Sequence, residues 1–325
     1  MINQLLYAFS ILVTFLGLTL TPETSAQSNW PSKPIRLIVP FAAGGATDQV
    51  ARLISVKIST ALGTNVIVEN RPGANGNIGA DFVSKSSPDG YTFLHTTSAI
   101  AFTAAFKQKV GYDLEKDLQP VSLVIHQPLL IMSSLQSGIL DASSLKEFIK
   151  INKHVAYGSS GNGNLTHLAM YVILNSMTKN TTHVPYKGGA AAFPDFIAGR
   201  FDLFADPINS AYPYVNDKRV TALAVTSEKR SSLAPQVPTV SESLLPGFTM
   251  SAWQGLLAPA NTLPDIINRI QTSYAKALND SDVKNKLASQ GAESVGSTSE
   301  DFKKFMQLEI VRWEKIVQFS GITAD

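Results

Sequence analysis

The stretch that decides the fold is residues 35–70, which read IRLIVPFAAGGATDQVARLISVKISTALGTNVIVEN. Its first five residues are apolar and rich in β-branched side chains, which is typical of a buried parallel strand. Apolar side chains then recur at helical spacing from position 50 to 62. Thr47 or Asp48 is expected to cap this helix, and Gly63 to end it. With a second strand expected at 65–69, the crossover predicts that the two strands are parallel.

Strands and helices keep alternating along the rest of the chain. This pattern predicts an α/β fold that binds ligands at the carboxyl ends of strands. The length of 325 residues favours two domains, and without a low-complexity linker the chain is expected to cross between them on strands. Further strands are expected at 91–95, 121–125, 129–132, 155–157, 182–184, 201–205, 222–225 and 253–257, and helices at 144–152, 165–176, 264–278, 282–290 and 299–319.

The composition excludes several classes of protein. Lys and Arg number 27 and Asp and Glu 25, and a net charge of +2 does not favour a nucleic-acid-binding protein. The chain has no cysteine, which excludes disulfides, thiolate metal sites and cysteine nucleophiles. None of the five histidines pairs at metal-ligand spacing, and neither nucleotide-binding glycine motif is present. We therefore expect no metal and no cofactor.

The N-terminal segment has the features of an export signal. Residues 5–20 are uncharged and mostly apolar, and the small residues Thr24 and Ala26 suit cleavage before Gln27. We therefore expect residues 1–26 to be a cleaved signal peptide and the mature chain to be soluble in the periplasm. The alternative is an uncleaved anchor, although 16 residues are short for a span that needs about 20.

Two glycine-rich loops share one chemistry: residues 40–48, PFAAGGATD, and residues 185–190, PYKGGA. Each follows a predicted strand and opens a helix, whose free N–H groups and partial positive charge suit a carboxylate or phosphate. The alternative is that both are tight strand-to-helix turns. The candidate ligand-binding residues are Phe41, Ala42, Ala43, Gly44, Gly45, Thr47 and Asp48 in the first loop, and Tyr186, Lys187, Gly188, Gly189 and Ala190 in the second.

Backbone donors are expected to matter more than side chains in these two loops, over 42–47 and 187–190. Lys187 either pairs with a ligand charge or is solvated. The rings of Phe41, Tyr186 and Trp253 either flank an aromatic ligand or pack in the core.

A third polar loop, residues 157–164 (YGSSGNGN), supplies hydroxyl and amide groups from Ser159, Ser160, Asn162 and Asn164. It does not match the G-x-S-x-G motif of hydrolases. His167, just beyond it, is either a ligand contact or a packing residue. Asp206, at the carboxyl end of a predicted strand, either faces the ligand or caps the next segment. The glycine-rich segment 70–79 is predicted to be a structural turn tied down by Arg71.

The chain resembles the substrate-binding proteins of tripartite tricarboxylate transporters, the TctC or Bug family. The resemblance runs from Trp30 to about Ile322 and includes WPSKPIRLIVPFAAGGATDQVAR, VIVENRPGANGNIGADFV, YGSSGNGNLTHLA and HVPYKGGAAAFPDFIAGRFDLF. The chain departs from the usual family pattern at Asn75 and Asn164. The resemblance implies a periplasmic binding protein-like fold of two α/β lobes with a ligand cleft between them. It also implies a receptor rather than an enzyme, which hands small carboxylated solutes to a large and a small permease subunit.

In the family, the loops that match 40–48 and 185–190 act as pincers on the ligand carboxylates, and the loop that matches 158–164 lines the cleft. Lobe one is expected to be 27–125 plus 252–325, and lobe two 126–251. Crossings near 121–132 and 248–254 would serve as hinges, and we expect a monomer. The main alternative is an exported hydrolase or lyase of the same shape. Against it, the candidate loops offer donors but no nucleophile–base pair.

Overall fold

The computed structural model describes residues 30–151 and 154–322, so the predicted signal peptide lies outside the described residues. The strands of this part are β1 Ile35–Val39, β2 Val66–Asn70, β3 Thr92–Thr97, β4 Leu118–Ser134, β5 Val155–Ser159, β6 Thr181–Pro185, β7 Leu203–Pro207, β8 Val220–Val225, β9 Ser251–Pro259 and β10 Glu293–Ser294. Its helices are α1 Ala46–Leu62, α2 Asn77–Ser84, α3 Ala99–Ala105, α4 Leu114–Asp117, α5 Ala142–Ile151, α6 Leu165–Asn175, α7 Gly189–Ile197, α8 Ile208–Asn216, α9 Val240–Ser243, α10 Pro264–Asn279, α11 Ser281–Ser289 and α12 Ser299–Ser320.

The predicted β1–α1–β2 unit is present, and its two strands are parallel. Gly63 ends α1 in the left-handed conformation, with φ 66°. The expected cap was wrong: Gly45 is the N-cap residue, and no side chain caps the helix from that position. Thr47 and Asp48 lie inside the first turn instead, because the extended backbone of Gly45 already starts the helix at Ala46.

Strand β4 is shared by two groups of strands. Its first part pairs with β9 as far as Pro128, opposite Ser251. From Leu129, opposite Pro207, it pairs with β7, and from Leu130 also with β8. We predicted two separate strands here, but β4 runs without a break for 17 residues. Both parts of the strand have hydrogen-bonded neighbours, and these hold the backbone extended past Pro128.

The strand order is β2-β1-β3-β9-β4 on one side of β4 and β4-β7-β5-β6 on the other. Parallel pairing of β1 with β3, and of β5 with β6 and β7, brings the carboxyl ends within each group to one edge. The α/β class is confirmed. The limits of the two lobes at 125/126 and 251/252 stay a prediction.

Helix α12 packs against α3 and β4 through large apolar side chains. The Phe102 and Trp313 rings lie 4.6 Å apart, and Trp253 meets Phe302 edge-on. Beside them Glu309 is only 4% exposed. Its Oε2 accepts hydrogen bonds of 3.3 Å from the indole N–H groups of Trp253 and Trp313. Burial raises the pKa of the Glu309 carboxyl, although the Arg312 guanidinium and the two indoles oppose this effect.

Between residues 30 and 151 and between 154 and 322, no helix combines the length and the apolar character that a membrane crossing requires.

Replacement of Glu309 tests the role of this buried acceptor. Glu309→Leu leaves two buried indole N–H groups without a partner, and each such loss costs about 1–3 kcal/mol. We expect the free energy of unfolding to fall by about 2–4 kcal/mol in urea denaturation at pH 7. Glu309→Gln retains an amide oxygen and should lose markedly less. Equal stability of the two variants would show that the indole contacts contribute little.

Candidate functional site

The first glycine-rich loop connects β1 to α1 and presents a helix N-terminus to solvent. Residues 42–46 are exposed. The backbone N–H groups of Ala46, Thr47 and Asp48 have no hydrogen-bond partner in the described chain, as expected for the first turn of a helix. These three groups and the helix dipole form a site that favours an anion.

The Asp48 carboxylate holds this loop in shape. It accepts hydrogen bonds of 2.9 Å from Gly44 N–H, from Asn70 Nδ2 and from Arg52 Nε. Asn70 Nδ2 also donates to Phe41 O at 3.0 Å. Burial alone would raise the pKa of Asp48, but these hydrogen bonds and the charge of Arg52 outweigh it and lower the pKa to about 2.

One expectation for this loop needs correction. Gly44 was expected to offer its N–H to a ligand, but that N–H donates to Asp48, and Gly45 N–H points to Ala42 O at 3.3 Å. Gly44 and Gly45 therefore use their N–H groups within the loop, whereas those of residues 46–48 have no partner in the described chain. Gly44 has φ 80°, and this left-handed conformation is the reason for glycine at the position.

The second glycine-rich loop connects β6 to α7 in the same way. Gly188, with φ 97°, is the N-cap residue. The N–H groups of Gly189 and Ala190 have no partner in the described chain. Lys187 is exposed, and the described residues include no ion-pair partner for it. The Tyr186 hydroxyl donates to Asp195 at 2.8 Å and its ring packs against Phe201, so the side chain anchors the loop.

The third loop, residues 158–164, supports the second. Its carbonyl groups accept hydrogen bonds from Tyr186 N–H and Gly188 N–H, at 3.0 and 3.1 Å. The expectation that Gly188 offers its N–H to a ligand was therefore wrong, because Ser160 O already accepts it. The Asn164 side chain caps α6 and accepts from His167 N–H at 3.1 Å. Asn162 is half-buried beside it.

His167 lies beneath this third loop rather than at its surface. It is 4% exposed, and its Nδ1 accepts a hydrogen bond of 3.1 Å from Gly163 N–H. Its ring stacks on His183 at 3.5 Å between centroids. Burial, with a further contribution from His183, lowers the pKa of His167 to about 3. Of the two roles considered from the sequence, this geometry favours packing.

A serine–histidine contact that the sequence did not predict occurs in the same region. Ser159 Oγ and His183 Nε2 share a hydrogen bond of 2.6 Å. This is the distance expected of a nucleophile and its base. However, Ser159 is fully buried at 0% exposure and also bonds to Gly161 O at 2.9 Å. A nucleophile needs access to substrate, and this hydroxyl has none.

Asp206 ties the second and third loops together. It is the second-last residue of β7, is 4% exposed, and accepts hydrogen bonds from Ser160 Oγ at 2.8 Å and from Ser210 Oγ. It lies so close beneath Gly189 that a Cβ on that residue would come within 2.3 Å of Asp206 Oδ1. Burial raises the pKa of Asp206 to about 6, although the two serine hydroxyls partly oppose it.

A cavity of about 180 Å³ lies between the two groups of strands. One wall includes Asn75, Thr97 and Ser98, and the opposite wall includes Gly163 and Asn164. Of these five residues, only Asn164 was a ligand-binding candidate from the sequence. Thr97 and Ser98 follow the same rule that singled out Asp206, since they stand at the carboxyl end of β3. The strand was predicted to end at 95, two residues too early.

Asn75 was assigned to a structural turn. That description holds for the backbone, because Arg71 donates to Glu69 at 2.7 Å and its N–H bonds to Val39 O. Asn75 nevertheless lines the cavity wall. Its backbone is in the left-handed region, with φ 52°. Within the described residues, no cluster of histidine and acidic side chains is arranged to hold a metal ion.

Comparison with known proteins gives a consistent result. Residues 50–322 match the model of the tripartite tricarboxylate transporter family receptor. Protein BugT of Bordetella pertussis is 31% identical over 322 residues, which cover 98% of this chain and 98% of BugT.

Two solved structures share both the sequence and the fold. R. palustris Rpa4515 with adipate is 32% identical with a TM-score of 0.76, over 91% of this chain and all of that one. MatC from Rhodopseudomonas palustris with bound malate is 31% identical with a TM-score of 0.72, over 89% of this chain and all of that one. The predicted two-lobed periplasmic binding protein-like fold is thereby confirmed.

The pKa of Asp206 predicts an unusual effect on stability. A folded-state pKa near 6 lies above the ordinary value of 3.8, so this carboxyl lowers the free energy of unfolding as the pH rises from about 4 to 6. Asp206→Asn keeps a neutral polar side chain there. In urea denaturation we expect the variant to be about 1–3 kcal/mol more stable than the original chain at pH 7.5, and this advantage to vanish below pH 4.

Asp48→Asn is the matched control, because the pKa of Asp48 is lowered to about 2. Its stabilising effect is complete above about pH 4 and is lost as the pH falls toward 2, so the variant should be less stable at pH 7.5. If Asp206→Asn also lowers the free energy of unfolding at pH 7.5, burial of the charged Asp206 carboxylate does not destabilise the folded chain.

Proposed function

Because this chain belongs to the tripartite tricarboxylate transporter receptor family, we propose that it captures a small carboxylate-bearing solute between two lobes and delivers it to a membrane permease. The observation that carries the proposal is the pair of exposed helix N-termini at α1 and α7. Each follows the carboxyl end of a strand and offers N–H groups that no described residue occupies.

Two such termini bind anions without a buried cation. Each N–H donates a hydrogen bond to a negatively charged oxygen, and the helix dipole adds a partial positive charge. Small side chains such as Ala42, Ala43 and Ala190 leave the backbone accessible. The solved relatives with adipate and with malate hold carboxylates, which supports the same class of solute for this chain.

Export and lobe closure precede delivery of the solute. Residues 1–26 serve as a cleaved signal, and the mature protein acts as a monomer in the periplasm. Lobe one is 27–125 plus 252–325, lobe two is 126–251, and rotation about β4 and the start of β9 closes them on the solute. The large and small membrane subunits of a tripartite transporter then receive it.

An exported hydrolase or lyase is the alternative. The one serine–histidine pair described at the site has its hydroxyl buried, and the family and its solved members are binding proteins. A thermal-shift screen of carboxylates, with NMR of the same samples over a day, separates the two functions. We expect the melting temperature to rise while the added acid stays unchanged. Conversion of the acid would identify an enzyme.

Ala46→Pro tests the first helix terminus. Proline removes the N–H at the first helical position but suits that position, and Gly45 before it is extended with φ −72° and ψ 168°. Loss of one hydrogen bond to a charged group costs about 1.5–3 kcal/mol. We therefore expect the affinity for a carboxylate found in the screen to fall about tenfold to a hundredfold by calorimetry, with stability little changed.

Ala142→Pro is the control, because it makes the same exchange at the first position of α5, outside the two glycine-rich loops. It should bind like the original chain. If Ala46→Pro binds equally well, the α1 terminus does not hold the carboxylate.

A further inference from the structure

The Asp206 carboxyl group lies directly beneath the second glycine-rich loop, at the start of α7. A Cβ added to Gly189 would come within 2.7 Å of both Asp206 Oδ2 and the carboxyl carbon Cγ, so only glycine fits at this position. By standard bond lengths, the carboxyl group is within about 5 Å of the Gly189 nitrogen. The N–H groups of Gly189 and Ala190 are the donors of this helix terminus that have no partner in the described chain.

Asp206 is held by neutral partners in an apolar setting. Its hydrogen bonds come from Ser160 Oγ at 2.8 Å and from Ser210 Oγ. Leu130, with 0% of its surface exposed, stands directly opposite it on β4. The pKa of about 6 is therefore the result of burial, which the two serine hydroxyls only partly oppose.

Other ionisable side chains lie on the elements around Asp206, but none of them contributes to this pKa. Lys187 is exposed to solvent. The Asp195 carboxylate is engaged by the Tyr186 hydroxyl at 2.8 Å and by Arg200 at 3.0 Å. His167, with a pKa of about 3, is neutral above pH 5. The remaining titratable residues on these elements are His126 on β4, Tyr157 on β5, His183 on β6, Asp202 just before β7, and Tyr212 and Tyr214 on α8.

A carboxylate bound by the N–H groups of Gly189 and Ala190 brings a second negative charge to this helix terminus. Its oxygen is within about 8 Å of the Asp206 carboxyl group, a distance at which two charges near a protein surface still repel each other. Two carboxylates that share a site raise the pKa of one of them. The bound acid accepts N–H hydrogen bonds that favour its charged form, whereas burial already disfavours the charged form of Asp206. Asp206 is therefore the group that becomes protonated.

We propose that the solute binds together with a proton, which Asp206 takes from solvent as the carboxylate docks at the start of α7. The proton binds one Asp206 carboxyl oxygen, and the serine hydroxyl that donated to this oxygen turns to accept. The inference rests on the proposed function, since it requires a carboxylate at this terminus. It makes Asp206 a residue that sets the affinity through its charge, without touching the solute.

The affinity should fall as the pH rises above 6. Binding takes up a proton where Asp206 is ionised in the empty chain and protonated in the complex, between its pKa of about 6 and the higher pKa of the complex. The affinity is constant below and above this interval. Protonation of the free acid acts in the opposite direction, because an acid that binds in its ionised form releases its own proton.

Calorimetry on the mature chain with malate, adipate, succinate and glutarate tests this linkage. Titrations at pH 6.5 and 8.5 give the affinities, and the difference in heat between PIPES and imidazole buffers gives the number of protons exchanged. For each acid that binds, we expect an affinity about threefold to tenfold higher at pH 6.5, with about half a proton taken up at that pH.

Asp206→Asn removes the group that takes the proton. In this variant we expect no uptake, equal affinity at both pH values, and tighter binding than the original chain at pH 8.5. Asp217→Asn is the matched control, because it removes one carboxylate from an exposed position just beyond α8. It should keep the uptake and the pH dependence. Carbon NMR of the Asp206 carboxyl group in the original chain reads the same protonation without a variant, and its pKa should rise when malate or another bound acid is added.

The outcomes separate the inference from the function on which it rests. An acid that binds without proton uptake, an uptake that persists in Asp206→Asn, or an Asp206 pKa that does not rise on binding overturns the inference, while carboxylate capture stands. If none of the four acids binds the original chain at millimolar concentration, the proposed capture of short carboxylates fails, and the inference fails with it.

Discussion

Strand β4 is the constraint on which the rest of the structure depends. Its first part is hydrogen-bonded to β9 and its second part to β7 and β8, so both groups of strands are fixed to one backbone. Parallel pairing then brings the carboxyl ends of β1 and β3 to one edge, and those of β5, β6 and β7 to another. The positions of the glycine-rich loops follow from these pairings, because each loop is the continuation of one of these strands.

The loops keep their shape through side chains that leave the helix N-termini open. Asp48 and Asp206 do this with opposite electrostatics. Asp48 accepts from an arginine, an amide and a backbone N–H, which lower its pKa to about 2. Asp206 is held only by serine hydroxyls among the described residues, and burial raises its pKa to about 6. Hydrogen bonds and a neighbouring cation favour the charged form of Asp48, whereas burial disfavours the charged form of Asp206.

Recognition by helix N-termini, as proposed for this chain, has a physical limit. Helix N-termini favour any carboxylate, because backbone N–H groups and dipoles do not distinguish one acid from another. Discrimination between acids must then come from groups that meet the rest of the ligand.

The sequence by itself determined the α/β class, the β1–α1–β2 unit and the glycine-rich loops, because hydrophobic period and glycine placement are local properties. It also singled out Asp206 and Asn164 by their positions after strands. Tertiary structure alone decided that Gly44 donates to Asp48, that Ser159 is buried against His183, and that β4 is one strand. It also brought Asn75 and Ser98 to one cavity with Asn164. These outcomes depend on pairings between strands far apart in sequence, which no local pattern encodes.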